Sequence, residues 1–343
     1  MTAKRKRNVF VSFYKYCKIF VRPLVQAFIH RLSLRARINN TKNIKDNDII
    51  LFATLRNEAF RIPYFLSYYR KLGVGHFIFV NNDSTDNFLE VVAGQADVSV
   101  WNTSASYKKS NFGMHWLNAL LWRYGSGHWC VTVDPDEFLV FPKYETRTLI
   151  ELTDWLEGQH RSSMFALLLD MYGSGSVSST HYASGEDPLT VAPYFDANGY
   201  VQSFRTSRGE VYVQGGARRR VFFRDLPAKA PAINKTPLVK WHRNYTYLSS
   251  MHTLSHMRLN HPHGSNGLSV TGALLHFKFL SSLVEKATEE ISRKEHYDNS
   301  VEYAAYKSVI DSDRDHLFYE NSIKFENSEQ LVELGFMHRG TWF

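Results

Sequence analysis

The sequence predicts an α/β fold: a mostly parallel sheet joined by crossover helices. Three observations predict it. Short apolar runs of strand length recur, and stretches with helical spacing separate them. A polar cluster follows each of the first four runs. At 343 residues, 44% hydrophobic and 15% aromatic, the chain can bury a large core and is not a disordered polymer.

The elements follow in order. "IILFAT" at 49–54 is a continuous apolar run, as a strand buried on both faces requires. In "RIPYFLSYYRKLGV", Phe65, Tyr68, Tyr69 and Leu72 share one helical face and Gly73 closes the helix. "HFIFV" is the second strand, "FLEVVAGQ" a helix and "VSVW" the third strand. "NFGMHWLNALLWRYG" is amphipathic, and "HWCVTVDPDEF" is the fourth strand. Thr148 and Glu151 stand at capping-box spacing ahead of another helix. "FALLLDMYG" is a fifth strand. Residues 193–225 read as antiparallel strands turning at Asn198-Gly199 and Gly215-Gly216. "INKTPLVKW" and "ALLHFKFLS" are strand-like, and from Ser281 onward the pattern is helical. These readings divide the chain into a leader (1–48), a main domain (49–280) and a helical C-terminal extension (281–343).

The charge is uneven. Residues 1–48 hold 12 Lys/Arg against Asp46 and Asp48, while the rest hold 29 Lys/Arg against 31 Asp/Glu. A near-neutral body argues against a nucleic-acid binder. In the leader, Phe10, Phe13, Tyr14, Cys17, Phe20, Val21 and Leu24 follow helical spacing, with Lys15, Lys18 and Arg22 opposite. Such a helix lies on an anionic membrane surface or packs on the body; its charges prevent it from spanning a bilayer. The expected location is cytoplasmic, peripheral on the inner membrane face. Two cysteines, Cys17 and Cys130, make no disulfide framework.

"DPDE" at 134–137 carries the chemistry. On extended backbone, Asp134 and Asp136 would face the same way and need a cation, of which Mg²⁺ or Mn²⁺ fits hard oxygen ligands. The competing reading is a turn opened by Asp-Pro. Late in the chain, His276 and Lys278 would project to one side of a strand, to complete a metal site and hold a diphosphate; His252 is the rival ligand. "GGARRRVF" would place Arg218 and Arg220 on one strand face, for phosphate or for solvation of an edge.

"ATLRNEAFRIPYFLSYYRKLGVGHFIFVNNDSTDN" followed by "WCVTVDPDEFLVFP" resembles the glycosyl transferase family 2-like group of GT-A nucleotide-sugar glycosyltransferases, over residues 50–142 and more loosely to about 281. The resemblance implies a GT-A (Rossmann-like) sheet, an antiparallel acceptor-side part and a nucleotide pocket lined by Thr54, Arg56, Asn57 and Glu58. It implies that Asp83 binds the base or ribose and that Asp134 and Asp136 form the D-x-D pair with a divalent metal. The reaction implied is inverting transfer of a hexosyl group from a nucleotide sugar to a glycan or lipid-linked acceptor, as in polysaccharide biosynthesis. Asp170 and, second, Asp187 are the candidates for the general base. The alternatives are a nucleotidyltransferase and a non-catalytic nucleotide- or glycan-binding protein of the same fold.

Overall fold

The computed structural model describes residues 14, 16–206, 209–264, 267–312 and 314–342. Its centre is one nine-stranded sheet. The strands are β1 (Arg35–Ile38), β2 (Ile49–Leu55), β3 (Val74–Asn81), β4 (Val98–Asn102), β5 (Trp129–Thr132), β6 (Glu137–Val140), β7 (Ser163–Asp170), β8 (Asn234–Lys240) and β9 (Gly272–His276). They lie in the order β1-β4-β3-β2-β5-β8-β7-β9-β6. β2 to β5 form a parallel block, and β7 and β9 run the same way. β1, β6 and β8 run against them.

Helices cover both faces. They are α1 (Arg22–His30), α2 (Ile62–Lys71), α3 (Phe88–Val91), α4 (Met114–Leu120), α5 (Leu149–Gly158), α6 (Ser282–Arg293), α7 (Tyr297–Asp311) and α8 (Ser328–Glu333). The alternation along β2 explains the layering. Ile49, Leu51, Ala53 and Leu55 face a core shared with α2 and α5, through Phe65, Tyr69, Leu152 and Leu156. Ile50 and Phe52 face the other core, with Trp116 and Leu120 of α4 and with Trp241. Both faces are dry, so the strand reads as an unbroken apolar run. The Thr148–Glu151 capping box forms at the start of α5.

Three expectations change. "HWCVTVDPDEF" is two strands, with Asp134, Pro135 and Asp136 in the turn between them. The predicted strand at "GGARRRVF" is a helical turn, Arg218–Phe222, closed by a bond from the Phe223 N–H to the Arg218 carbonyl. The antiparallel pair Val201–Arg205 with Glu210–Gln214 exists, but neither predicted glycine turn joins it; Asn198-Gly199 precedes it and Gly215-Gly216 follows it. After α7 the chain adds a strand (Ser322–Lys324) against Tyr194–Asp196 and returns Leu331, Phe336 and Trp342 to the main core.

Phe10, Phe13 and Lys15 of the predicted amphipathic helix lie outside the described residues. Cys17, Phe20 and Leu24 are half-buried, while Tyr14 and Val21 are exposed. Among the described residues no helix is long and apolar enough to cross a membrane.

Candidate active site

The six co-directional strands end together, and the candidate residues collect at that carboxyl edge, where ligands of open α/β sheets bind. β9 inserts between β7 and β6, which sets His276 beside Asp170 on one side and Glu137 on the other. The Phe277 N–H donates to the Asp136 carbonyl at 2.8 Å, fixing the acidic turn against the end of β9.

His276 lies between two acids. Its Nδ1 is 2.8 Å from Asp170 Oδ1 and its Nε2 is 3.4 Å from Asp136 Oδ2. Asp170 Oδ2 in turn accepts from Arg218 Nε at 2.9 Å. Burial alone would raise the Asp170 carboxyl, but Arg218 and His276 outweigh it and hold the group at about 2. Asp170 is therefore ionised, accepts the Nδ1 proton and leaves Nε2 pointing at Asp136. A lone pair facing a carboxylate is repulsive. Either a second proton or a cation must lie between them. In the absence of an ion the proton wins: burial disfavours the imidazolium, but Asp136 and Asp170 raise the His276 pKa. Burial likewise works against the Asp136 carboxylate, yet His276, with Arg61 and Lys286 beyond, holds it well below the usual range.

This arrangement fits a divalent cation. One oxygen or nitrogen each from Asp136, Glu137 and His276 lies within 4.8 Å of the others. A carboxylate orienting the far nitrogen of a histidine ligand is the usual support of such sites. Two carboxylates with one imidazole form a donor set that could hold a divalent ion such as Mn²⁺. Asp134 does not belong to this group. The turn breaks the extended geometry that would have aligned it with Asp136, and its side chain, 44% exposed, lies 3.3 Å from Lys235 Nζ. Of the two candidate histidines, His276 is the one brought to the acids. His252 Nδ1 bonds the Asn234 carbonyl at 2.6 Å, and burial, with Lys235 nearby, pushes it down to about 4.

Beside the acids is a cleft of about 240 Å³ at the ends of β2, β3 and β4, lined by Arg56, Asn82, Asp83, Ser106, Tyr107 and Arg293 among others. Burial, then Asp134, raises the Tyr107 hydroxyl, so the cleft wall and the acidic turn share one electrostatic environment. Arg56 reaches the Asn82 carbonyl at 3.2 Å and Asp83 Oδ2 at 3.8 Å. Asn57 and Asp83 both adopt left-handed backbone, at φ 54° and 58°, which Asn and Asp tolerate. They are tied by bonds from the Asn57 N–H to Ser84 Oγ (3.0 Å) and from the Thr85 N–H to Asn57 Oδ1 (2.8 Å).

The other predicted residues are placed as follows. Thr54 lies against Gly113, whose φ of 78° and lack of a Cβ permit the approach; a Cβ there would come within 2.9 Å of Thr54 Oγ1. Glu58 is buried between Arg61, at 2.8 Å, and Lys286. Arg218 is buried on Asp170 rather than presented on a strand face. Lys278 lies beyond the end of β9, 3.2 Å from Glu302 and over the rings of Tyr303 and Tyr306. Asp187 caps a short helix by accepting from the Leu189 N–H at 2.9 Å, which is the turn reading of that residue.

Sequence reasoning missed Lys235, Lys286 and Glu289. Lys235 is a cation inside the otherwise apolar strand "INKTPLVKW", and a buried lysine implies an acidic partner; here it is Glu137. Lys286 and Glu289 carried no local signal, because α6 meets Glu58 and Arg56 only in three dimensions.

No protein-family model matches the chain, and no curated protein matches it. Among solved structures it is similar to the apo structure of the WbbM bifunctional glycosyltransferase, at 15% identity and a TM-score of 0.25, over 37% of this chain. The match spans about a quarter (24%) of that protein's length, and the functional reading rests on the site's own residues.

Proposed function

We propose that the chain is a metal-dependent glycosyltransferase of the GT-A type. It would move a hexosyl group from a nucleotide sugar to a glycan or lipid-linked acceptor, with inversion. The observation that carries the reading is the line Arg218–Asp170–His276–Asp136 at the carboxyl edge of the sheet, next to the cleft of Arg56 and Asp83.

In this reading the cleft holds the nucleotide, with Arg56 and Arg293 as its cations. Asp136 and His276 would hold Mn²⁺ or Mg²⁺, with Glu137 within reach. A divalent cation there supplies Lewis-acid stabilisation of the charge that builds on the leaving diphosphate. Asp170 fixes the His276 tautomer; with both oxygens engaged it acts through His276, not as the acceptor's base. Arg218 keeps Asp170 ionised. Lys235 keeps Glu137 in place behind the turn.

Calorimetric titration with nucleoside diphosphates, with and without Mn²⁺, tests this. One nucleotide should bind in a Mn²⁺-dependent manner. Asp136→Asn and His276→Ala should each weaken that binding by about tenfold or more. Incubation with the matching nucleotide sugar should then release free sugar or transfer it. Release of pyrophosphate from a nucleoside triphosphate would instead identify a nucleotidyltransferase. A well-folded protein that binds no nucleotide would sink the proposal.

A further inference from the structure

The helical segment before the sheet has two apolar faces, and only one is covered. Ala27 is buried and Phe20 and Leu24 are half-buried where this segment packs on the body; the Phe20 ring lies 5.1 Å from that of His256. On the other side Val21, Val25, Phe28 and Leu32 recur at i, i+4, i+7 and i+11, one stripe of a helix. They are 42%, 48%, 60% and 75% exposed, and Ile29 beside them is 50% exposed. Five large aliphatic or aromatic side chains left in water along one continuous helical segment, α1 with the turns before and after it, form a patch, not scattered exposure.

The charges around the stripe identify what covers it. Lys18 and Arg22 are exposed on the same segment, and the Arg31 guanidinium lies 4.9 Å from the Phe28 ring centre. Arg35 and Arg37 follow, both exposed, on edge strand β1. Residues 1–45 contain no acidic side chain at all. Next to Leu32 is a groove of about 450 Å³ lined by Arg31, Leu34, Trp101, Leu120 and Arg123. Apolar walls combined with two guanidinium groups match an acyl chain joined to a phosphate.

We propose that this face docks on an anionic phospholipid bilayer. Val25, Phe28, Ile29 and Leu32 enter the boundary between headgroups and acyl chains, and the surrounding Lys and Arg side chains hold the lipid phosphates. The segment lies in the surface, because it is too short and too charged to span it. A second copy of this chain would bring two basic faces together and is disfavoured by charge. Nucleic acid would leave the apolar stripe in water. The inference is independent of the reaction assigned above.

Vesicle co-sedimentation of the full chain tests it. The protein should sediment with phosphatidylcholine–phosphatidylglycerol vesicles and little with phosphatidylcholine alone, and added salt should weaken binding. Phe28→Ser/Leu32→Ser should weaken binding by at least about tenfold while leaving the melting temperature unchanged, because both side chains are exposed. Lys18→Glu/Arg22→Glu should remove the preference for the anionic lipid. Three results would overturn the proposal. One is no binding to anionic vesicles at low salt. Another is binding that survives Phe28→Ser/Leu32→Ser. The third is a dimer in solution that this double substitution converts to a monomer.

Discussion

Lys235 holds the acidic turn from behind. Its side chain is 4% exposed and pairs with Glu137, itself 1% exposed, while reaching Asp134 at 3.3 Å. Burial is the larger influence on both partners. It pushes the Glu137 carboxyl up to about 7 in spite of Lys235, whereas the acids around Lys235 keep its ammonium above the usual value. Removing one partner of such a pair leaves the other uncompensated in a dry site. Lys235→Met should therefore destabilise the fold by about 3 kcal/mol. Glu137→Gln in the same chain should recover part of that loss, since the amide is neutral without having to take up a proton in a dry site. Urea unfolding of the two single variants and the double variant checks this; strict additivity would mean that the two groups do not depend on one another.

At the scale of elements, the contact of α1 with α4 is acid-sensitive. His115 on α4 packs against His30 of α1, with ring centres 4.9 Å apart and the planes tilted by 37°, and its Nδ1 is buried without a hydrogen bond. Burial, then His30 and Arg22, push the His115 pKa from 6.5 down to about 4. The unfolded chain takes up this proton first as pH falls. The contribution of neutral His115 is complete above 6.5 and is lost between 6.5 and about 4. Allowing for partial exposure, the loss is on the order of 1 kcal/mol. His115→Gln, neutral throughout, should flatten that part of a melting-temperature profile against pH. An unchanged profile would place the acid sensitivity elsewhere.

Much of the element order was legible because its signals are local: the apolar runs, the capping box at Thr148 and Glu151, and the polar residues after each strand. Asp136 and His276 stood out as candidates for the same reason, and the fold brings them within 3.4 Å of each other. What was not legible depends on register and distance. Arg218 and Arg220, two residues apart, read as one face of a strand, yet Arg218 turns inward to meet Asp170, 48 residues away. Asp134 and Asp136 read as a same-facing pair only if the backbone stays extended, and the turn removes that condition. The apolar face read from the leader only partly matches the buried one: Phe20 and Leu24 are half-buried, Tyr14 and Val21 are exposed, and the buried Ala27 was not part of it. The exposed face of α1 was not legible, because only the packing on α4 reveals which apolar residues remain uncovered.

Across the whole molecule, the C-terminal helices close over the cleft with groups of the same sign as a nucleotide phosphate. Glu289 of α6 accepts from Arg56 Nε at 3.0 Å and from Asn57 Nδ2 at 3.4 Å. Glu295, just beyond α6, accepts from Ser106 Oγ at 2.6 Å and from the Lys108 N–H at 2.8 Å. Arg56 and Ser106 also line the cleft. A bound diphosphate that uses Arg56 must therefore take it from Glu289, and the free energy of that exchange reduces the apparent affinity. Removing the competing carboxylate should raise affinity. Glu289→Gln should bind a nucleoside diphosphate about three- to tenfold more tightly than the parent, and Arg56→Ala should bind it more weakly than either. Titration of the three proteins under identical Mn²⁺ and salt decides the matter. If Glu289→Gln binds more weakly, the carboxylate serves the bound state by positioning Arg56, and α6 is a fixed wall of the cleft; if it binds more tightly, α6 is a cover that the nucleotide displaces.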